Sequence, residues 1–181
     1  TLQSEVYRRY FGCASPPLFV GAKRFGIETV YSDALPKLVP QGEKLFRRLN
    51  RSLRTWPPNN APSKLQAEAA IFLVRWLNRR QPNSCLIFVS GMAEILDLVE
   101  GFDHIKGSRY AYNCVPVHSS IPFDQQVGIF DPPEPGTVNV VLATNSAESS
   151  ITLPYINHVI CLGTQKQVVW SPELGRNARL C

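Results

Sequence analysis

Short apolar runs bounded by polar turns constrain this chain more than any other feature. They are CLIFV (85–89), CVPV (114–117), VNVVLA (138–143), NHVICLG (157–163) and KQVVW (166–170). Several are apolar at consecutive positions rather than at alternate ones. A strand with that pattern needs cover on both faces. Between the first three runs lie two helical segments, MAEILDLVE (92–100) and PFDQQVGIF (122–130). The second opens on Pro122, where a missing N–H costs nothing. Strands buried on both faces and alternating with short helices predict an α/β fold on a mainly parallel sheet. With 44% hydrophobic residues among 181, the chain can bury a real core.

Upstream of these runs the pattern is less regular. Residues 1–17 read as a lead-in closed by Pro16 and Pro17, and the glycine-spaced stretch after them predicts short strands at about 18–20 and 27–31. Residues 32–62 hold Pro36, Pro40, Pro57, Pro58 and Pro62, with one helix expected at about 42–54. There Leu45, Leu49 and Leu53 share a face that Phe46 widens. Lys44, Arg47, Arg48, Arg51 and Arg54 face a single Glu43, so this helix carries a net +4 of the chain's +5. That balance favours polyanions without identifying one. The strongest helix signal is SKLQAEAAIFLVRWLNRR, with Ser63 and Gln66 as a capping box and Pro82 beyond its end. Its expected buried stripe is Leu65, Ala69, Phe72, Leu73, Trp76 and Leu77.

Other classes fall away. The five cysteines are scattered and contain no C-x-x-C pair, which argues against a disulfide framework or a zinc site and for a reducing, intracellular setting. The longest apolar stretch in a helical context, Ala69 to Val74, is too short to span a bilayer. No signal-peptide pattern opens the chain.

In a parallel sheet, ligands meet the loops at the carboxyl ends of the strands. Three of those loops are small and polar: Ser90-Gly91, His118-Ser119-Ser120 and Thr144-Asn145. Their neutral donors suit phosphate oxygens. Ordinary Ser/Asn turn chemistry would equally explain any one of them. His118 reads either as a general base or as a hydrogen-bonding loop residue. No Asp or Glu lies near enough in sequence to argue for a triad, so the second reading is preferred.

These residues carry a resemblance. VVLATNSAESSIT is similar to motif V of the DEAH-box RNA helicases, commonly ATN-x-AE-(T/S)-S-x-T. LIFVSGMAEI resembles their motif IV and VHSSIPFDQQ their LHS-x-LP-x-x-Q motif. PLFVGAKRFGIETVY resembles the opening of their second RecA-like domain, and VYRRYFGC the end of their first. The resemblance implies a RecA-like, P-loop NTPase-type three-layer αβα sandwich. Residues 1–17 would then end the first RecA-like domain or form its linker. Residues 18–181 would be the second, with a basic insertion at about 32–62. Ser90, Gly91, Thr144 and Asn145 would face the RNA backbone, with Ser119 and Ser120 as weaker candidates. Ser150 and Thr152 would face the ATP cleft, and Glu148 would be structural. The implied partners are single-stranded RNA or RNA-protein complexes and the first RecA-like domain in cis, with room for a protein cofactor. The implied compartment is nuclear or cytoplasmic.

The same resemblance sets limits. Pro154 stands where the family often carries an Asp that contacts the ribose. Met92 replaces a usual Gln, and Cys161 a frequent Asp. No G-x-x-x-x-G-K-(S/T) loop and no acidic box for Mg²⁺ is present, and the expectation is truncation before the arginine-rich last motif. ATP with Mg²⁺ would therefore be held mainly by residues outside the chain. The intact protein is expected to be an ATP-dependent RNA helicase, whereas the chain alone is expected not to hydrolyse ATP. Metal-dependent turnover by the pure chain would contradict this. The alternative is a helicase-like RNA-binding scaffold without catalysis.

Overall fold

The computed structural model describes residues 4–18, 26–55, 63–144, 153–164, 166–171 and 176–180. The chain divides into two units, Thr1–Val30 and Tyr31–Cys181. Among its described residues the first holds one helix, α1 (Ser4–Tyr10), in which Glu5 accepts from Arg8 at 2.6 Å. The strand expected at about 27–31 does not form: residues 26–31 are irregular, with Ile27 82% and Tyr31 74% exposed. An apolar alternation makes a strand only where it finds a partner edge and a face to bury. The piece expected at 18–20 has only Leu18 described, and it is exposed.

The second unit is built on four parallel strands. They are β1 (Ser84–Phe88), β2 (Ala111–Val117), β3 (Thr137–Ala143) and β4 (Ile156–Cys161), in the order β2-β3-β1-β4. Central β1 and β3 are the two most continuous apolar runs, and alternation sorts them. Cys85, Ile87, Val138, Val140 and Leu142 point into one core; Leu86, Val141 and Ala143 point into the other. Full burial of each large aliphatic side chain stabilises the fold by roughly 1.5–3 kcal/mol. The only polar interruption of β3, Asn139, is buried and accepts from Asn113 across the β2–β3 pair at 3.1 Å.

Helices cover the sheet. The first core is closed by α4 (Ser63–Leu77) and α5 (Met92–Asp103), which contribute Ala67, Ala70, Val74, Ile95, Leu98 and Phe102. The expected helix at 122–130 is a short α6 (Phe123–Gln126) followed by a 3-10 turn (Val127–Phe130). Its Ile129 packs into the second core. The chain moves outward from β1 to β2 and back to β3, so right-handed crossovers put α5 and α6 on opposite faces.

An outer layer lies on α4. Residues 35–54 form a short α2 (Leu35–Leu38), a 3-10 turn (Pro40–Gly42) and α3 (Glu43–Arg54). Val39, Phe46 and Leu49 are buried against Ala69, Phe72, Leu73 and Trp76. This changes the meaning of the stripe expected on α4: Leu65, Ala69, Phe72, Leu73 and Trp76 face α3, while the smaller Ala67, Ala70 and Val74 face the sheet. The helix is buried on two sides, and small residues let it sit close to the strands. Gln66 of α4 also reaches the chain just past β4. Its Nε2 donates to the Leu162 carbonyl at 2.8 Å.

KQVVW does not extend the main sheet. It forms β5 (Gln167–Ser171), antiparallel to β6 (Arg176–Leu180) in a separate hairpin. Residues 172–175, between the two strands, lie outside the described residues.

Candidate functional site

The parallel register brings the carboxyl ends of the four strands to one edge. Phe88 of β1 is level with Ala143 of β3 and Cys161 of β4, and Ala143 is level with Val117 of β2. The ladder runs slightly past the strands. Val89 N–H donates to the Ala143 carbonyl at 2.9 Å, Leu162 N–H to Phe88 at 3.2 Å, and Thr144 N–H to Val117 at 3.4 Å. Ser90-Gly91, His118-Ser119-Ser120 and Thr144 therefore emerge side by side, as the sequence pattern requires.

The loop after β1 carries a charged cluster. Glu94, in the first turn of α5, meets the Lys166 ammonium at 3.4 Å, and the two side chains are 17% and 29% exposed. Burial pushes the Glu94 carboxyl up, but a hydrogen bond from the Ser90 hydroxyl, its own backbone N–H and the Lys166 charge outweigh that. The net effect holds Glu94 below the usual carboxylate range. Gly91 is buried beneath this pair, and a Cβ there would lie 2.9 Å from Lys166 Nζ. Glycine is what lets the ammonium approach the backbone. Lys166 reaches this place because Gly163, at φ +74, turns the chain after β4 and because Gln66 fixes the Leu162 carbonyl.

The loop after β2 is held from within. Gln126 of α6 donates to the carbonyls of Ile121 and His118 at 2.6 and 3.3 Å. His118 Nδ1 lies 2.8 Å from Ser120 Oγ and accepts from the Ser120 N–H at 3.1 Å. No carboxylate joins it among the described residues, so it is a loop-shaping histidine rather than a base. Ser119 and Ser120 are exposed, Ser90 is half-buried, and Thr144 is buried at 6% exposure. Asn145, Glu148, Ser150 and Thr152 lie outside the described residues.

The edge thus offers hydroxyls, a loop pinned by Gln126 and an ammonium whose charge is only partly met by Glu94. Donors of this kind suit the oxygens of an anion. Among the described residues no group of three or more His, Cys, Asp or Glu could hold a metal ion. Nor is any helix there long and apolar enough to cross a membrane. Sequence reasoning missed Glu94 and Lys166 because they lie 72 positions apart. The available signal was an acidic residue one turn after Ser90, set against a lysine just beyond the neighbouring strand's end.

Comparison with known proteins identifies the family and the fold. Residues 67–178 match the family described as the helicase conserved C-terminal domain. The ATP-dependent RNA helicase DHX30 of Gallus gallus is 42% identical over 88 residues, which are 48% of this chain and 7% of that protein. The probable ATP-dependent RNA helicase DHX34 of Homo sapiens is 25% identical over 177 residues, 96% of this chain and 14% of that protein. Among solved structures, the DEAH/RHA helicase HrpB of Escherichia coli superposes with a TM-score of 0.55 and 25% identity, over 68% of this chain and 15% of that one. The chain therefore spans under a sixth of the length of these relatives.

Proposed function

The chain belongs to the helicase conserved C-terminal domain family, in its DEAH-box branch, and from that premise we propose that it forms one wall of the RNA track in an ATP-dependent RNA helicase. In this reading residues 18–181 are the second RecA-like domain, and residues 1–17 end the first or link to it. Ser90, Gly91, Ser119, Ser120, Thr144 and Asn145 meet the RNA backbone. Ser150 and Thr152 meet the nucleotide from the other end of the same loop, so nucleotide state can alter grip on RNA. ATP hydrolysis with Mg²⁺ belongs to the whole protein, with the main phosphate and metal ligands outside this chain. A first RecA-like domain in cis completes the cleft.

One observation carries the proposal: three polar loops and the Lys166 ammonium share the carboxyl edge of the sheet. Phosphate contacts of this kind position a strand without reading its bases. The partial neutralisation of Lys166 by Glu94 fits a strand that must be held and released repeatedly.

The test is ATP hydrolysis by the full-length protein, with and without single-stranded RNA. Strong stimulation by RNA is expected. A folded protein that binds RNA yet hydrolyses no ATP would overturn the motor.

A further inference from the structure

Helix α3 places five cations on one side. Lys44, Arg47, Arg48, Arg51 and Arg54 are all exposed. At 100° per residue they fall within an arc of about 120° and span about 15 Å of helix axis. The opposite side carries Phe46 and Leu49, buried against α4, with Leu45 and Leu53 beside them. The basic side therefore cannot turn inward, because the apolar side fixes the helix's rotation. Only Arg47 has a carboxylate partner among the described residues, the exposed Glu43 at 2.8 Å. A pair of that kind contributes little and yields readily to a competing anion.

We propose that this face of α3 is a second RNA-backbone-binding surface, separate from the carboxyl edge of the sheet. The proposal rests on the RNA reading above. The chemistry favours a phosphodiester strand over an acidic protein segment. Four of the five cations are arginines, whose planar guanidinium groups grip phosphate oxygens in pairs. The arc contains no apolar or aromatic residue. A protein partner would need such anchors at the centre of its interface, with charge at the rim. A strand of phosphates needs none, because releasing its counterions supplies the affinity. Binding of this kind is indifferent to sequence, which suits a surface that keeps hold of RNA while the edge site engages and lets go.

The test is fluorescence anisotropy of a labelled oligouridylate with the 181-residue chain across a salt series. Three variants are compared with the natural chain: R47Q/R48Q/R51Q on α3, the charge-matched K64Q/K106Q/R109Q at exposed sites elsewhere, and K166A at the sheet edge. The α3 variant should bind about tenfold more weakly, and its log–log salt slope should flatten by about 2, since each phosphate no longer neutralised removes about 0.7. The charge-matched variant should weaken by less than about threefold. Thermal melts should coincide, since these side chains are exposed. If the triple change proves unstable, the single variants R48Q and R51Q should each flatten the slope by about 0.7.

Equal weakening in the α3 and charge-matched variants would mean that net charge alone matters, and would overturn the proposal. If K166A weakens binding while the α3 variant does not, the edge reading stands and this one falls. If the natural chain binds no RNA, both fall. An α3 variant that keeps RNA but no longer binds a polyglutamate peptide would assign the face to an acidic protein instead.

Discussion

Cys85 sits in the middle of β1, fully buried, with its thiol donating to the Asn83 carbonyl at 3.4 Å. Burial pushes the thiol up to about 12 against a small opposing effect from Asn78. Burial and the nearby Asp103 carboxylate push Cys114 up to about 12 as well. At pH 8 such a thiol is ionised in only ~1 molecule in 10⁴, and the thiolate is the nucleophile. Cys13 and Cys161 are exposed. Brief alkylation of the native chain at pH 8, mapped by mass spectrometry, should therefore label Cys13 and Cys161 and spare Cys85 and Cys114 until denaturant is added. Labelling of Cys85 at the rate of Cys13 would contradict a sealed β1 core. At this scale the sequence told burial better than partnership. Cys85 inside CLIFV announces its own burial, whereas nothing near Ser90 announces that its hydroxyl is taken by Glu94. A hydrogen bond within one turn competes with any ligand, and its choice depends on where Lys166 arrives from the far end of the chain.

Elements were legible wherever the period of the apolar pattern was clean. All four strands of the main sheet and α3, α4 and α5 fall where the sequence puts them, within a few residues. The misreading of α4 has a definite cause, which is that a single periodicity does not say how many neighbours an element has. The pattern of α4 shows a stripe but not that α3 covers it, so it does not single out the sheet-facing alanines. The joint between these helices is tight at Gly42, where an added Cβ would meet the Phe46 and Phe72 rings at 2.6 Å each. Those rings already pack edge to face at 5.9 Å, and neither can move without disturbing the cluster. Gly42→Ala should destabilise the domain by ~1–3 kcal/mol, the usual cost of overpacking. For a chain of this size the melting temperature should fall by roughly 2–4 °C per kcal/mol. An unchanged melting temperature would mean that the outer layer does not bear on α4 as described.

At the scale of the second unit, the sheet both positions the candidate site and makes the fold sensitive to acid. The three-loop edge was legible because parallel strands must bring their carboxyl ends together. The ATP-cleft roles proposed for Ser150 and Thr152 rest on family resemblance alone, and both residues, like Asn145, lie outside the described residues. Two groups tie stability to pH. His158, on β4 level with Cys85, is held by burial below its ordinary value of 6.5. The unfolded chain then takes up that proton first, so the stability His158 contributes is complete above about pH 6.5 and drains as pH falls toward the folded value. Glu94 is also held low, below its ordinary 4.5, by Ser90, its own N–H and Lys166 against the opposing effect of burial. Its contribution is present above that pH and is lost as pH falls through the folded value. Each proton limits the slope to about 1.4 kcal/mol per pH unit. Urea midpoints measured at pH 7.5, 5.5 and 3.5 should therefore fall in two separable steps. His158→Gln should abolish the step between 7.5 and 5.5 and leave the lower one. Glu94→Gln should shrink the lower step and spare the upper. A wild-type midpoint that does not move between pH 7.5 and 5.5 would show that β4 leaves His158 open to water. The sheet edge that carries Leu162, Gly163 and Lys166 toward the candidate site would then be looser than its hydrogen bonds to Phe88 and Gln66 require.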